Sequence, residues 1–162
     1  MTRILHLIAL IGLLALAACK DEAAIEVGQP VPDLAVLDRD GNPVDLAAYR
    51  GKVVFVNFWQ SGCGPCLVEM PEIEQVYQDL RSRGFEVLAI NMGQDGDTIE
   101  NTRRRTGVSY PLLADRLKLA SVQFGVLAVP TSFLIDRDGR LVERINGPLT
   151  RAQLETRLAQ LL

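Results

Sequence analysis

Three regimes of hydrophobicity follow one another along this 162-residue chain. Residues 4–17 form an apolar run broken only by His6; residues 20–32 are polar and small, with Gly28, Pro30 and Pro32 and no apolar period. From residue 33 to Leu162 apolar and polar positions alternate without internal repeat, which predicts one α/β domain over 33–162. Residues 34–37 read as a short strand closed by the turn Asp38-Arg39-Asp40-Gly41. Residues 53–58 are almost uninterruptedly apolar, as in a strand covered on both faces. From Cys63 to about Arg83 the spacing of Met70, Ile73, Val76, Tyr77 and Leu80 is helical and stops at Gly84. Residues 85–91 read as a strand, 98–106 and 117–124 as helices. Residues 131–135 and 141–145 are two strands around the hairpin turn Asp136-Arg137-Asp138-Gly139, and 150–162 is a helix capped by Thr150. The plan is a central mixed β-sheet flanked by helices.

The first regime reads as a targeting segment. Arg3 supplies a positive start, and 14 apolar residues suit a secretory signal while falling short of the roughly 20 that span a bilayer. The run ends in Leu16-Ala17-Ala18-Cys19, which resembles the bacterial lipobox. That resemblance implies a signal peptide over 1–18, a lipid on Cys19, a lipidated tether over 19–32 and a location on the cell envelope facing the periplasm. Several acyl chains give a stable anchor where one gives marginal binding. Cleavage after Ala15-Leu16-Ala17 is the alternative, and it would leave Cys19 an unpaired thiol in an oxidising compartment. Thirteen tether residues reach at most roughly 40 Å.

Charge narrows the function. The net charge is −3, and the only arginine cluster is Arg103-Arg104-Arg105, which reads as a solvated helix face. A nucleic-acid partner is not expected. His6 is the sole histidine and lies in the targeting segment, so histidine triads and histidine-ligated metal sites drop out of the domain. No cofactor or metal is expected.

The chemistry falls on Phe58-Trp59-Gln60-Ser61-Gly62-Cys63-Gly64-Pro65-Cys66. Two cysteines three apart at a helix start sit about 5 Å apart at Cα, inside the disulfide window. Free N–H groups and the helix dipole there favour thiolate, so Cys63 is expected to be the nucleophile with a depressed pKa. Cys66, one turn in, is expected to be shielded and to resolve the mixed disulfide. Zinc would need two further ligands that the domain lacks, and a structural cross-link of so small a loop would constrain little.

These residues resemble the thioredoxin superfamily, in its membrane-tethered TlpA/ResA-like branch, from about Val27 to Leu162. Gly28-Gln29-Pro30-Val31-Pro32-Asp33 is similar to the branch's opening, 51–59 to its core strand, and Val129-Pro130-Thr131-Ser132-Phe133-Leu134-Ile135-Asp136 to its cis-proline strand. The resemblance implies a thioredoxin-like fold, a redox-active Cys63–Cys66 disulfide, a cis peptide before Pro130, and client binding by Val129, Pro130 and Trp59. An ordinary strand-start proline is the alternative at Pro130. Glu69 matches the branch's glutamate and would take the Cys66 proton if buried; a solvated helix carboxylate is the alternative. Pro71 is expected to kink the helix. Two positions depart from the pattern: Gly62 replaces the usual tryptophan before the first cysteine, and Asn57 stands where thioredoxins carry a buried aspartate.

The function implied is a monomeric thiol-disulfide oxidoreductase acting as a reductant. Its client would be a disulfide-bearing protein such as an apocytochrome c, and its electrons would come from a membrane donor of the DsbD/CcdA type. A peroxidase of peroxiredoxin type is the first alternative, although its P-x-x-x-T-x-x-C motif is missing. A non-enzymatic tethered chaperone is the second.

Overall fold

The computed structural model describes residues 25–162, and the signal segment, Cys19 and the rest of the expected tether up to residue 24 lie outside them. Five strands form one mixed sheet: β1 (Val53–Trp59), β2 (Phe85–Met92), β3 (Leu112–Asp115), β4 (Thr131–Ile135) and β5 (Leu141–Asn146). Their order is β3-β2-β1-β4-β5, with β1, β2 and β3 parallel and β4 antiparallel to both β1 and β5. Every residue of β1 is buried, as its continuous apolar sequence requires of a central strand.

Among the described residues the α-helices are α1 (Gly64–Leu80), α2 (Gly96–Thr106), α3 (Leu119–Gln123) and α4 (Arg151–Leu158). Alternation along β1 sorts its side chains into two cores. Val53, Phe55 and Trp59 pack with Met70, Ile73 and Val76 of α1, Ile99 of α2, and Leu154 and Leu158 of α4. Val54, Val56 and Phe58 face the other way, onto Phe124, Phe133 and the amino-terminal residues Val31, Leu34 and Val36. Gly84 (φ 89°) ends the first helical stretch in a left-handed conformation open to glycine. Thr150 and Gln153 form a reciprocal capping box at the start of α4.

Three expectations change. Residues 34–37 are not a strand: Leu37 alone makes isolated bridges, to Pro43 and Ala114, because the Asp38 side chain bends the chain away by accepting from the Asp40 and Asn42 N–H groups. Strand β3 was not expected, since four residues behind Pro111 are too few to show a period. Part of the polar tether belongs to the domain. Gly28 N–H donates to Leu141 C=O (2.7 Å), Val31 N–H to Gly139 C=O (3.1 Å), and Leu141 N–H to Gln29 C=O (3.0 Å). Backbone bonds of this kind need no apolar pattern, so composition does not reveal them. Among the described residues, no helix is long and apolar enough to cross a membrane.

Candidate active site

Strand β1 ends at Trp59 and hands the chain directly to α1, which places Cys63 at the helix N-cap. Cys63 and Cys66 form a disulfide with a Cα separation of 5.3 Å. The Cys66 N–H donates to Cys63 Sγ at 3.2 Å, so a free backbone donor of the first turn already points at the sulfur expected to become thiolate. Cys63 is partly exposed, whereas Cys66 is fully buried beside Trp59 and Met70. Accessibility therefore separates an attacking sulfur from a resolving one. Facing them, the Val129 carbonyl oxygen lies 3.7 Å from Cys63 Sγ, and the Val129–Pro130 peptide is cis. The cysteine spacing names two of these residues and the family resemblance the other two, and the fold brings all four together.

Trp59 corrects an expectation. It has no exposed surface, because it closes a central strand beneath α1, and so it cannot present a face to a client. Its place is the floor under the disulfide. Gly62 is exposed, and a Cβ there would meet no atom within 4 Å. Pro71 lies inside α1.

Glu69 is 1% exposed, which rules out the solvated alternative. Its Oε1 accepts from Asn57 Nδ2 at 2.8 Å and its Oε2 from the Leu149 N–H at 3.0 Å. Burial outweighs these bonds and lifts its pKa from 4.5 to about 7. Asn57 Nδ2 also donates to Ser132 Oγ at 2.9 Å, whereas Asn57 Oδ1 and Trp59 Nε1 are buried without partners.

A clasp escaped the sequence reading. Gln94 Oε1 accepts from the Ser61 N–H (2.8 Å) and from Asn91 Nδ2 (2.7 Å), and its Nε2 donates to Ser61 Oγ (2.7 Å). Gln60 Nε2 adds a bond to Met92 C=O at 2.9 Å. These contacts fasten the loop carrying Cys63 to the end of β2. The bonds that cross from the loop to the β2 end join residues 32 or 33 apart in the chain, while Asn91 braces Gln94 from three positions away.

The chain is similar to known proteins over most of its length. The redoxin family pattern matches residues 26–161. Thiol-disulfide oxidoreductase ResA of Geobacillus thermodenitrificans is 36% identical over 138 residues, covering 85% of this chain and 79% of that protein. ResA of Bacillus thuringiensis subsp. konkukian is 33% identical over 140 residues, covering 86% and 81%. A thiol:disulfide interchange protein of the thioredoxin family from Chlorobium tepidum superposes with a TM-score of 0.74 at 28% identity, over 86% of this chain and 99% of that one. With a cystine at a helix start in a thioredoxin-like fold, this chain is a thiol-disulfide oxidoreductase of the redoxin family, on its TlpA/ResA-like branch.

Proposed function

We propose that the enzyme faces the periplasm on a lipid anchor at Cys19 and works as a reductant of client disulfides, apocytochrome c among the candidate clients. The observation that supports the reading is the split in exposure of the pair: Cys63 Sγ, partly exposed at the helix N-cap, accepts from the Cys66 N–H, while Cys66 is buried behind it. An accessible attacking sulfur backed by a shielded resolving one suits the reduction of client disulfides through a mixed disulfide. Electrons must then be resupplied from a membrane donor of the DsbD/CcdA type, because that compartment is kept oxidising.

The test supplies the protein with dithiothreitol and compares insulin-disulfide reduction with hydrogen peroxide consumption. Insulin should precipitate well above the uncatalysed rate while peroxide stays near background. Peroxide turnover outrunning insulin reduction would overturn the reading in favour of a thiol peroxidase. The anchor has its own test, motivated by Leu16-Ala17-Ala18-Cys19. In cells, Cys19→Ala should move the protein from the detergent fraction to the soluble one, and continued need for detergent would refute lipidation.

A further inference from the structure

Six large apolar side chains are exposed among the described residues, and four of them lie between positions 117 and 127: Leu117 (79% exposed), Leu119 (53%), Val122 (71%) and Leu127 (94%). They lie on and around α3, which buries Ala120 and Ser121 and leaves these four largely outside the core. Contiguous exposed apolar surface in a soluble domain marks a contact site.

The surface is held rigid. Buried Asp115 accepts from the Ala120 N–H (3.3 Å), the Ser121 N–H (2.8 Å) and Ser121 Oγ (2.5 Å), pinning the start of α3. At its other end the Gly125 N–H donates to Val122 C=O (2.9 Å) and the Val126 N–H to Ser121 C=O (2.8 Å), folding the next loop back onto the helix. That loop carries Leu127 and then Val129, whose carbonyl touches the Cys63 sulfur.

We infer that Leu117, Leu119, Val122 and Leu127 form a ledge on which an apolar segment of the disulfide-bearing client chain lies while its sulfur is attacked by Cys63. The inference rests on the oxidoreductase assignment and adds what the client must look like. Continuity with the redox site selects this occupant. A client sulfur bonded to Cys63 lies beside Val129, and Leu127 is two residues away along the chain, at most about 7 Å from it. Client residues from about two positions beyond the cysteine outward are those that meet the ledge. Charge agrees: positions 116–135 contain no acidic residue, and the ledge is edged by Arg116 and Lys118, so a segment that is apolar and not basic suits it.

The test uses the reduced enzyme and three disulfides: oxidised dithiothreitol, a synthetic peptide whose cystine is flanked by leucines from the second position outward, and the same peptide with serines there. The wild-type enzyme should react with the leucine peptide at least about tenfold faster than with the serine peptide. The exposed-surface variant Leu119→Ser/Val122→Ser/Leu127→Ser should lower that preference to within about twofold, with an unchanged melting temperature and an unchanged rate on oxidised dithiothreitol. Equal wild-type rates on the two peptides, or a preference that survives in the triple variant, would overturn the ledge while leaving the redox chemistry standing. Failure of the wild type on all three disulfides would instead indict the oxidoreductase assignment. Two further measurements name the competing occupants. Dimerisation in sedimentation, or pelleting with phosphatidylglycerol vesicles, lost in the triple variant would assign the surface to a second copy or to a membrane and overturn the proposal.

Discussion

Cys63→Ser will reduce disulfide exchange by at least about 10³-fold, because a serine hydroxyl, unlike a thiolate, is no nucleophile toward sulfur near neutral pH. In the reduced enzyme the Cys63 thiolate attacks one client sulfur, the client disulfide breaks, and a mixed disulfide forms. Cys66, as thiolate, then attacks Cys63 Sγ, and the client leaves with both its sulfurs reduced while the enzyme disulfide of the present structure is restored. Cys66→Ser therefore stops the reaction halfway. It should accumulate a covalent client adduct that is visible on non-reducing gels and vanishes with dithiothreitol. The reverse pattern, adducts through Cys66 in the Cys63→Ser protein, would contradict the difference in burial between the two sulfurs.

Glu69→Gln carries two effects that can be read separately. The first is kinetic. A carboxyl buried one helical turn from Cys66, with its pKa lifted by burial to about 7, is matched to taking the resolving thiol's proton at neutral pH. Removing a general base costs about 10²–10⁴-fold, and water recovers part of that, so exchange at pH 7 should slow by at least about tenfold. In stopped-flow traces from pH 5 to 9, the wild type should show a rate increase with a midpoint near 7 that the variant lacks. An unchanged profile in a folded variant would remove Glu69 from the proton path.

The second effect is thermodynamic and has a definite sign. Because the folded state raises this pKa from 4.5 to about 7, it holds the proton more tightly than the unfolded chain does. The associated stability is full below pH 4.5, is lost as pH rises to about 7, and stays lost above, a total of about 3 kcal/mol. Glutamine does not ionise, so the variant lacks that decline. At pH 8 it should melt higher than the wild type by roughly 5–10 °C, and at pH 4 the two should nearly coincide. Equal melting points at pH 8 would show that the carboxylate is not penalised by its surroundings.

What could be read from the sequence divides along physical lines. The cysteine pair, its helix and the central strand were legible because each is written in adjacent residues: a run of apolar positions, a CxxC, a helical period ending at Gly84. Val129 and Pro130 were placed only through resemblance, since Val129 lies 66 positions beyond Cys63 and nothing between ties the two together. The side on which Trp59 would lie was misjudged because its sheet position, not its amphipathic character, decides its exposure. Glu69 was ambiguous for a similar reason. Its burial depends on Leu149 and Asn57 closing over it from 80 and 12 positions away. Gln94 was invisible because the bonds that fasten the cysteine loop reach Ser61, 33 positions away.

Asn57 gives the buried acid a partner for both of its states. In the present arrangement its amide nitrogen donates to the Glu69 carboxylate and to Ser132, and its oxygen has no partner. A primary amide is a donor at one end and an acceptor at the other, and the two ends have nearly the same shape. A half-turn of the side chain exchanges them, offering an oxygen to a protonated Glu69 and to the Ser132 hydroxyl. An aspartate at this position would add a second titrating acid a hydrogen bond away, and the two ionisations would become coupled. An asparagine leaves one acid to load and unload alone. A proton carried by Glu69 would then be held at a single site, beside an amide whose two ends suit either state of the acid.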